Sequence, residues 1–394
     1  MFPIIPASSA ASFPQNDEGI FGFGENSSET AATNLVSNTG VLSSDVTGVG
    51  TARRFLAACE YGGDKGIFGF GYDGSSAVSM TNLVSNAGVV GTDVTGVGTA
   101  RSGLAACSYG GDKGIFGFGT TGSYTGVTNL VSNTGVVGSD VAAVGAAKQQ
   151  PAGCEYGGDK GIFGFGTTAA AKTGVTNLVS NTGVVASDVS AVGTARVALA
   201  ACEFGEDKGI FGFGTDAAGY ASMTNLVSNT GVVASDVTGV GTARTYIAAC
   251  EYGGDKGIFG FGYTGSDVSI TNLVSNAGVV ASDQAATTGT ARRIAAACGY
   301  GGDKGIFAFG HAVSTNVAMS NLVSNAGVVS TDVTGVGTAR YGLAACEYGG
   351  DKGIFGYGSG YTANTNLVSN AGVVSTDVTG VGTARQYLAA CSFN

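Results

Sequence analysis

The segment YGGDKGIFGFG occupies residues 61–71 and recurs unchanged from residues 109, 156 and 252. Near-copies start at 204, 300 and 348, and a shortened form, DEGIFGFG, starts at Asp17. Eight cysteines (Cys59, Cys107, Cys154, Cys202, Cys250, Cys298, Cys346 and Cys391) fall at one phase of this repeat, 45–48 residues apart. Self-similarity at a fixed period of this size restricts the chain to an array or a closed ring of equivalent units. It overrides the two or three domains that 394 residues would otherwise suggest.

Residues 244–292 contain one whole unit. Sustained helical periodicity and strong helix formers are absent, and short apolar runs alternate with Gly, Asn and Asp, which indicates strands and tight turns. Four strands fit: A at 246–252 (YIAACEY), B at 256–262 (KGIFGFG), C at 270–276 (ITNLVSN) and D starting at Gly278 (GVVASD). The A–B and C–D connections, GGD and SNAG or SNTG, place glycine where a hairpin demands a positive φ.

Alternation along strand B puts Phe68 and Phe70 on one face, with Ile67, Gly69 and Gly71 on the other. Sheets stacked at about 10 Å then seat each aromatic pair over the glycines of the next sheet. Each buried ring contributes roughly 1.5–3 kcal/mol. The segment recurs because every sheet presents the same knob and socket. The cysteines sit in a small apolar context, LAAC, and equivalent positions in successive units lie too far apart for a bridge. Free, buried thiols are expected.

The termini bear on array versus ring. The chain enters its first unit at strand B, Gly19 to Gly24, and ends on a strand A, Tyr387 to Cys391. Joined, they complete an eighth sheet and remove the exposed edges. Ala10-Ala11-Ser12 is the alternative donor of the first strand A. The expectation is all-β: a single eight-bladed β-propeller of four-stranded antiparallel blades over residues 17–394, closed by pairing the C-terminal strand with the N-terminal blade. Residues 1–16 form a leader or tether.

The order of Arg, apolar strand, GG, aromatic-glycine strand, variable loop and two further strands resembles the kelch repeat, whose unit is a four-stranded propeller blade. Kelch units carry a double glycine at the end of strand B, where this chain has GFG, and a tryptophan, which it lacks. The unit GIFGFG…TNLVSNTGVV…TGVGTAR is also similar to repeat proteins of environmental phages and giant viruses. That resemblance implies a virion-associated protein.

Composition narrows the function. A net charge of −10, with only 18 Lys and Arg spread through the repeats, argues against nucleic acid. No apolar run approaches the length of a membrane span, and MFPIIPASSA lacks the basic and apolar regions of a secretory signal. One histidine, His311, stands in a variable loop without a triad motif beside it, and no CxxC metal pattern exists. A non-enzymatic protein without cofactor or metal is expected. The eight S/T-D aspartates, Asp45 to Asp377, read either as a cation-binding ring or as turn caps and inter-blade pairs worth about 0–1 kcal/mol each when exposed.

Variation concentrates in the B–C loops and in the residues just after Arg, which a blade places on one face. These loops are rich in Tyr, Ser, Thr, Gly and Asp, a composition suited to recognition. Drift in exposed loops gives the same pattern. The candidate binding residues are Arg54, Tyr72, Asp73, Tyr124, Tyr220, Tyr246, Tyr263, His311, Tyr341 and Tyr361. The partner expected at this face is a protein or glycan; residues 1–16 are the expected dock to a larger assembly. AAKQQPAGC (146–154) is the largest departure from the repeat, and its Pro151 marks an altered strand A.

Overall fold

A computed structural model of the chain describes residues 17–393 except 47, 144, 191–192, 240, 285–288, 379 and 381. The described residues are all-β, without a helix, so none is long and apolar enough to cross a membrane. The leader and the alternative strand at Ala10-Ala11-Ser12 lie outside the described residues.

Eight three-stranded antiparallel sheets follow one another in sequence, with two-stranded ribbons in the B–C loops at Glu25–Asn26 with Ser28–Glu29 and His311–Ala312 with Thr315–Asn316. Sheet 2 is representative: Ala57–Tyr61 is the inner strand, Lys65–Tyr72 the middle and Ala77–Val84 the outer. Sheet 1 is composite. Its middle strand Glu18–Gly22 pairs on one side with Thr33–Val36 and on the other with Ala389–Phe393, in the register Ile20 to Cys391. This register repeats Ile67 to Cys59 in sheet 2. The inner strand Ala389–Phe393 packs against the inner strands Ala344–Tyr348 of sheet 8 and Ala57–Tyr61 of sheet 2. Asp17 takes the place of the usual turn aspartate: Gly349 N donates to Asp17 O, as Gly62 N donates to Asp112 O.

The sheets have three strands, not four. Strand D is reduced to two single bridges per unit, Val84 to Val90 and Thr81 to Val94 in sheet 2. Between the two bridges three residues, 91–93, oppose two, 82–83, which is a bulge. The Asn82 carboxamide fills it, donating to Gly91 O at 3.1 Å and Asp93 Oδ1 at 3.0 Å. The side chain takes the hydrogen bond that a regular ladder would supply.

The second correction concerns the two phenylalanines. Phe70 has φ +61, and its counterparts Phe23, Phe118, Phe165, Phe213, Phe261, Phe309 and Tyr357 share the left-handed conformation. This breaks the period of two, so Phe68 and Phe70 point to opposite sides of their sheet. Phe68 packs with Ile20 and Phe23 of sheet 1. Phe70 packs with Ile67 and with Phe116 of sheet 3. The socket is as expected: a Cβ on Gly69 would lie 2.7 Å from the Phe116 ring. Phe70 and Phe116 meet edge-on, centroids 5.4 Å apart.

A basic residue recurs in each unit, Arg53 and its equivalents with Lys148 in one, and it is fully buried. Arg53 lies between sheets 1 and 2, fully buried, its guanidinium 3.9 Å from the Phe23 centroid. It donates to Phe70 O at 2.7 Å and Asn82 Oδ1 at 2.6 Å. The aspartates close this lock: Asp93 Oδ2 accepts from Thr51 N and Thr51 Oγ1, while Asp93 Oδ1 lies 3.8 Å from the Arg53 guanidinium. All eight cysteines are free. Cys59 Sγ faces Gly114 of the next sheet, and burial pushes its thiol up to about 12.

Candidate functional site

The repeat sorts its residues onto two sides. The A–B and C–D turns lie together: Asn86 Nδ2 donates to Asp64 Oδ2, and Gly62 approaches Asn133 O of the next unit. Glycine pairs such as Gly62 and Gly63 (φ +68 and +75) make these turns nearly uniform. Asp17, the first described residue, is on this side. The B–C and D–A connections meet on the other side, where Arg54 and Tyr72 exchange main-chain bonds of 2.9 and 2.8 Å. The variable residues therefore share one face, opposite the uniform turns.

Eight left-handed residues encircle the variable face just before the inner strands: Phe55, Gly103, Gln150, Ala198, Tyr246, Ile294, Gly342 and Tyr387, with φ between 50° and 61°. Three successive pairs are tied by main-chain bonds, Gly103 N to Phe55 O, Gln150 N to Gly103 O and Ile294 N to Tyr246 O. Phe55 and Tyr387, 43% and 46% exposed, meet tilted at 42° with centroids 5.1 Å apart. Tyr246 is 51% exposed.

Around this circle the sequence candidates form separate groups. Arg54 ion-pairs with Glu25 and Glu29 and lies 5.5 Å from the Tyr72 centroid. Tyr220 meets Tyr263 edge-on at 5.8 Å. Arg293 lies 4.6 Å from the Tyr263 centroid and pairs with Asp267 at 3.2 Å. His311 and Tyr341 meet at 5.4 Å, with His311 Nδ1 3.0 Å from Asn316 Oδ1. Tyr124 accepts a bond from Gln149 Nε2 at its hydroxyl. Asp73 is occupied by its own turn: Oδ1 accepts from Ser75 N, Ser75 Oγ and Ser76 N, bonds that hold its carboxyl below the usual range. Tyr361 is exposed at φ +46. Among the described residues the two paired arginines leave this face without a free guanidinium.

Inner strands from all eight sheets line a common space. One cavity of about 390 Å³ runs from Gly153 and Cys154 to Glu347, and a second of about 320 Å³ runs from Ala58 past Cys154 to Ser392. Its walls are alanine and cysteine. Toward the turn side it carries Glu60, Glu155, Glu203, Glu251 and Glu347, with Ser108, Gly299 and Ser392 at the other equivalent positions. Burial, then the facing Glu155 and Glu347, push Glu60 up to about 7. Glu203 also rises to about 7, from burial and then from Glu155 and Glu251.

This glutamate set and the left-handed circle were not assembled by sequence reasoning. The glutamates follow the cysteine in strand A, at a position shared with Ser and Gly, so alternation within AACEY was the available signal. Phe55, Gln150 and Ile294 stand in the variable connections already noted, but their common φ has no signature in six different residue types.

No protein-family model and no curated protein matches this chain. Among solved structures, one described as "Structure of YjhT" is similar with a TM-score of 0.46 and 10% identity, over 71% of this chain and 97% of that one. A likeness at that level supports neither a particular fold nor an activity.

Proposed function

We propose that the chain is a closed eight-bladed β-propeller of kelch-like topology acting as a non-enzymatic binding or adhesion module, displayed on a virus particle as part of a tail fibre or capsid. The observation that carries this reading is the two-sidedness of the molecule. A uniform frame holds the turn side, whereas Arg54, Tyr72, Tyr220, Tyr246, Tyr263, His311 and Tyr341 all fall on the opposite face. Residue types change there while the backbone does not: six of eight left-handed positions carry side chains where glycine serves at the other two. A protein or glycan is the partner, and no nucleic acid is expected.

The test is an array of glycans and surface proteins probed with the full chain. Binding should be abolished by Tyr263→Ala with Tyr72→Ala and kept by Thr134→Ala on the turn side. Binding lost with the turn-side variant, or insensitive to both sets, would overturn the reading. A cryo-EM map of source particles in which the variable face is buried against other subunits would favour a scaffold or decoration protein instead.

A further inference from the structure

The unit that departs most from the repeat also builds a concave, largely apolar site on the variable face. Between residues 146 and 153 it has Ala146, Lys148, Pro151 and Gly153, where sheet 2 has Thr51, Arg53, Leu56 and Ala58. A cavity of about 440 Å³ opens there, walled by Gln150 and Pro151 on one side, Val197 and Leu199 on another and Tyr246 on the third. Its floor follows from the order of the left-handed circle. Ala198, the smallest non-glycine member, stands between Gln150 and Tyr246, so two long side chains flank a short one.

Both flanking residues are held against their backbone preference. Gln150 and Tyr246 have φ +51 and +54, whereas Gly103 and Gly342 occupy the same conformation at φ +60 and +61. A side chain there costs roughly 1–2 kcal/mol relative to the right-handed alternatives. Glycine at two of the eight positions shows that the frame does not need the side chains. Strain kept where the fold does not require it points to use outside the fold.

We propose that this pocket is the primary ligand subsite of the variable face and takes one uncharged pyranose ring of a glycan, stacked on Tyr246 and hydrogen-bonded by the Gln150 amide. This deepens the binding reading above and rests on it. Three observations select the ligand class. None of the lining residues is charged, and Lys148 beneath them is fully buried, its Nζ held by Asn177 Oδ1 at 2.7 Å, so no cation reaches an anionic ligand. Tyr246 offers a half-exposed aromatic face, and Gln150 both donates and accepts, as paired sugar hydroxyls require. A peptide strand is disfavoured at Gln150, whose main-chain amide is already bonded to Gly103 O, and at Pro151, which has no amide hydrogen to offer. The volume falls within the roughly 300–1,000 Å³ of small-molecule sites.

The experiment is saturation-transfer NMR and calorimetry on the full chain with neutral methyl pyranosides of the gluco, galacto, manno and N-acetylglucosamine series. At least one should bind saturably with a Kd on the order of 1 mM, weak as expected for one ring. Tyr246→Gly and Gln150→Gly should each weaken it by roughly tenfold or more, with Tm unchanged or raised because both relieve strain. Thr134→Ala should leave it unchanged. The inference is overturned if no pyranoside saturates, if binding survives both glycine variants, or if isopentanol competes as well as the sugars, which would mark an apolar side-chain pocket. If both glycine variants still bind the array target that Tyr263→Ala loses, the pocket assignment falls and recognition by the variable face stands.

Discussion

Tyr357 and Phe21 meet edge-on, ring centroids 5.4 Å apart at 66°, although 336 positions separate them in sequence. Phe70 and Phe116, in adjoining units, meet at 5.4 Å and 64°. The other parts of the contact correspond too. Arg385 lies 3.8 Å from the Tyr357 centroid and donates to Asn34 Oδ1 at 2.7 Å, as Arg53 does between Phe23 and Asn82. A Cβ on Gly356 would lie 2.9 Å from the Phe21 ring. The junction of the chain's two ends is built like an internal one.

Equality of junctions has a measurable consequence. Phe21→Ala and Phe116→Ala each remove a fully buried ring from the same socket, at an expected cost of about 3–5 kcal/mol. Denaturation midpoints of the two variants should agree. A much smaller cost for Phe21→Ala would mean that the seam between the ends opens before the rest.

Lys148 marks the weakest inter-sheet lock. It replaces arginine, and Ala146 there offers Asp188 only a main-chain N–H, without the threonine hydroxyl present at Thr51. Lys148→Arg should restore a bond of the kind Arg53 makes to Phe70 O and raise stability by about 1 kcal/mol. The gain should also depend on pH. Burial lowers Lys148 to about 8 from 10.5, so its charged form penalises the native state below pH 8. That penalty is relieved as pH rises from 8 toward 10.5. The equivalent arginines, such as Arg196, are lowered only to about 10. The variant's advantage in urea midpoint should therefore be larger at pH 7 than at pH 9.5. A constant gap would show that Lys148 titrates normally.

Repeat number, strand spans, turn glycines and free cysteines were legible because each rests on local chemistry repeated eight times. Pairing of Glu18–Gly22 with Ala389–Phe393 was legible from where RQYLAAC falls. The orientation of Phe70 was not, because a left-handed φ at a phenylalanine violates the residue preference on which face assignment depends. Strand D misled for a related reason: GVV reads as a ladder, yet Asn82 and its equivalents substitute a side chain for main-chain bonds. The depth of Arg53 was not legible, because it is the Phe23 ring of one sheet and the Phe70 carbonyl of another that enclose it. Of the site, the grouping of the variable residues on one side was legible, but its division into a left-handed circle, paired arginines and a pocket depends on contacts between units.

The left-handed circle yields a stability prediction of unusual sign. Ile294 is β-branched and has φ +52, one of the least tolerated combinations. Ile294→Gly removes about 1–2 kcal/mol of strain and adds roughly 0.5–1 kcal/mol of unfolded-state entropy cost. A small rise in Tm is expected. A marked fall would show that the Ile294 side chain packs well enough to outweigh its backbone.

The inner glutamates set the pH dependence of the whole fold. Glu60 and Glu203 stand at about 7 in the native state against 4.5 in the unfolded chain. Glu155, Glu251 and Glu347 shift in the same direction, but Glu251 and Glu347 are exposed to the central space, so solvent screens their share and Glu60 and Glu203 carry most of the effect. Between these values the native state holds more protons than the unfolded one, so stability is full below about pH 4.5 and is lost as pH rises through 7. The turn aspartates act oppositely. Asp112 and Asp159 lie below the usual range through bonds from Lys113 with Asn133 and from Lys160 with Asn181. Their contribution is lost as pH falls below their depressed values, and their exposure makes it small. Stability should therefore peak near pH 4.5–5 and decline toward pH 7.5. Glu60→Gln with Glu203→Gln should raise the midpoint at pH 7.5 and flatten that decline, while leaving pH 4.5 almost unchanged. Chemical denaturation across this range decides it: a wild-type profile that rises from pH 5 to 7.5 would mean that the five carboxylates ionise as they do in water.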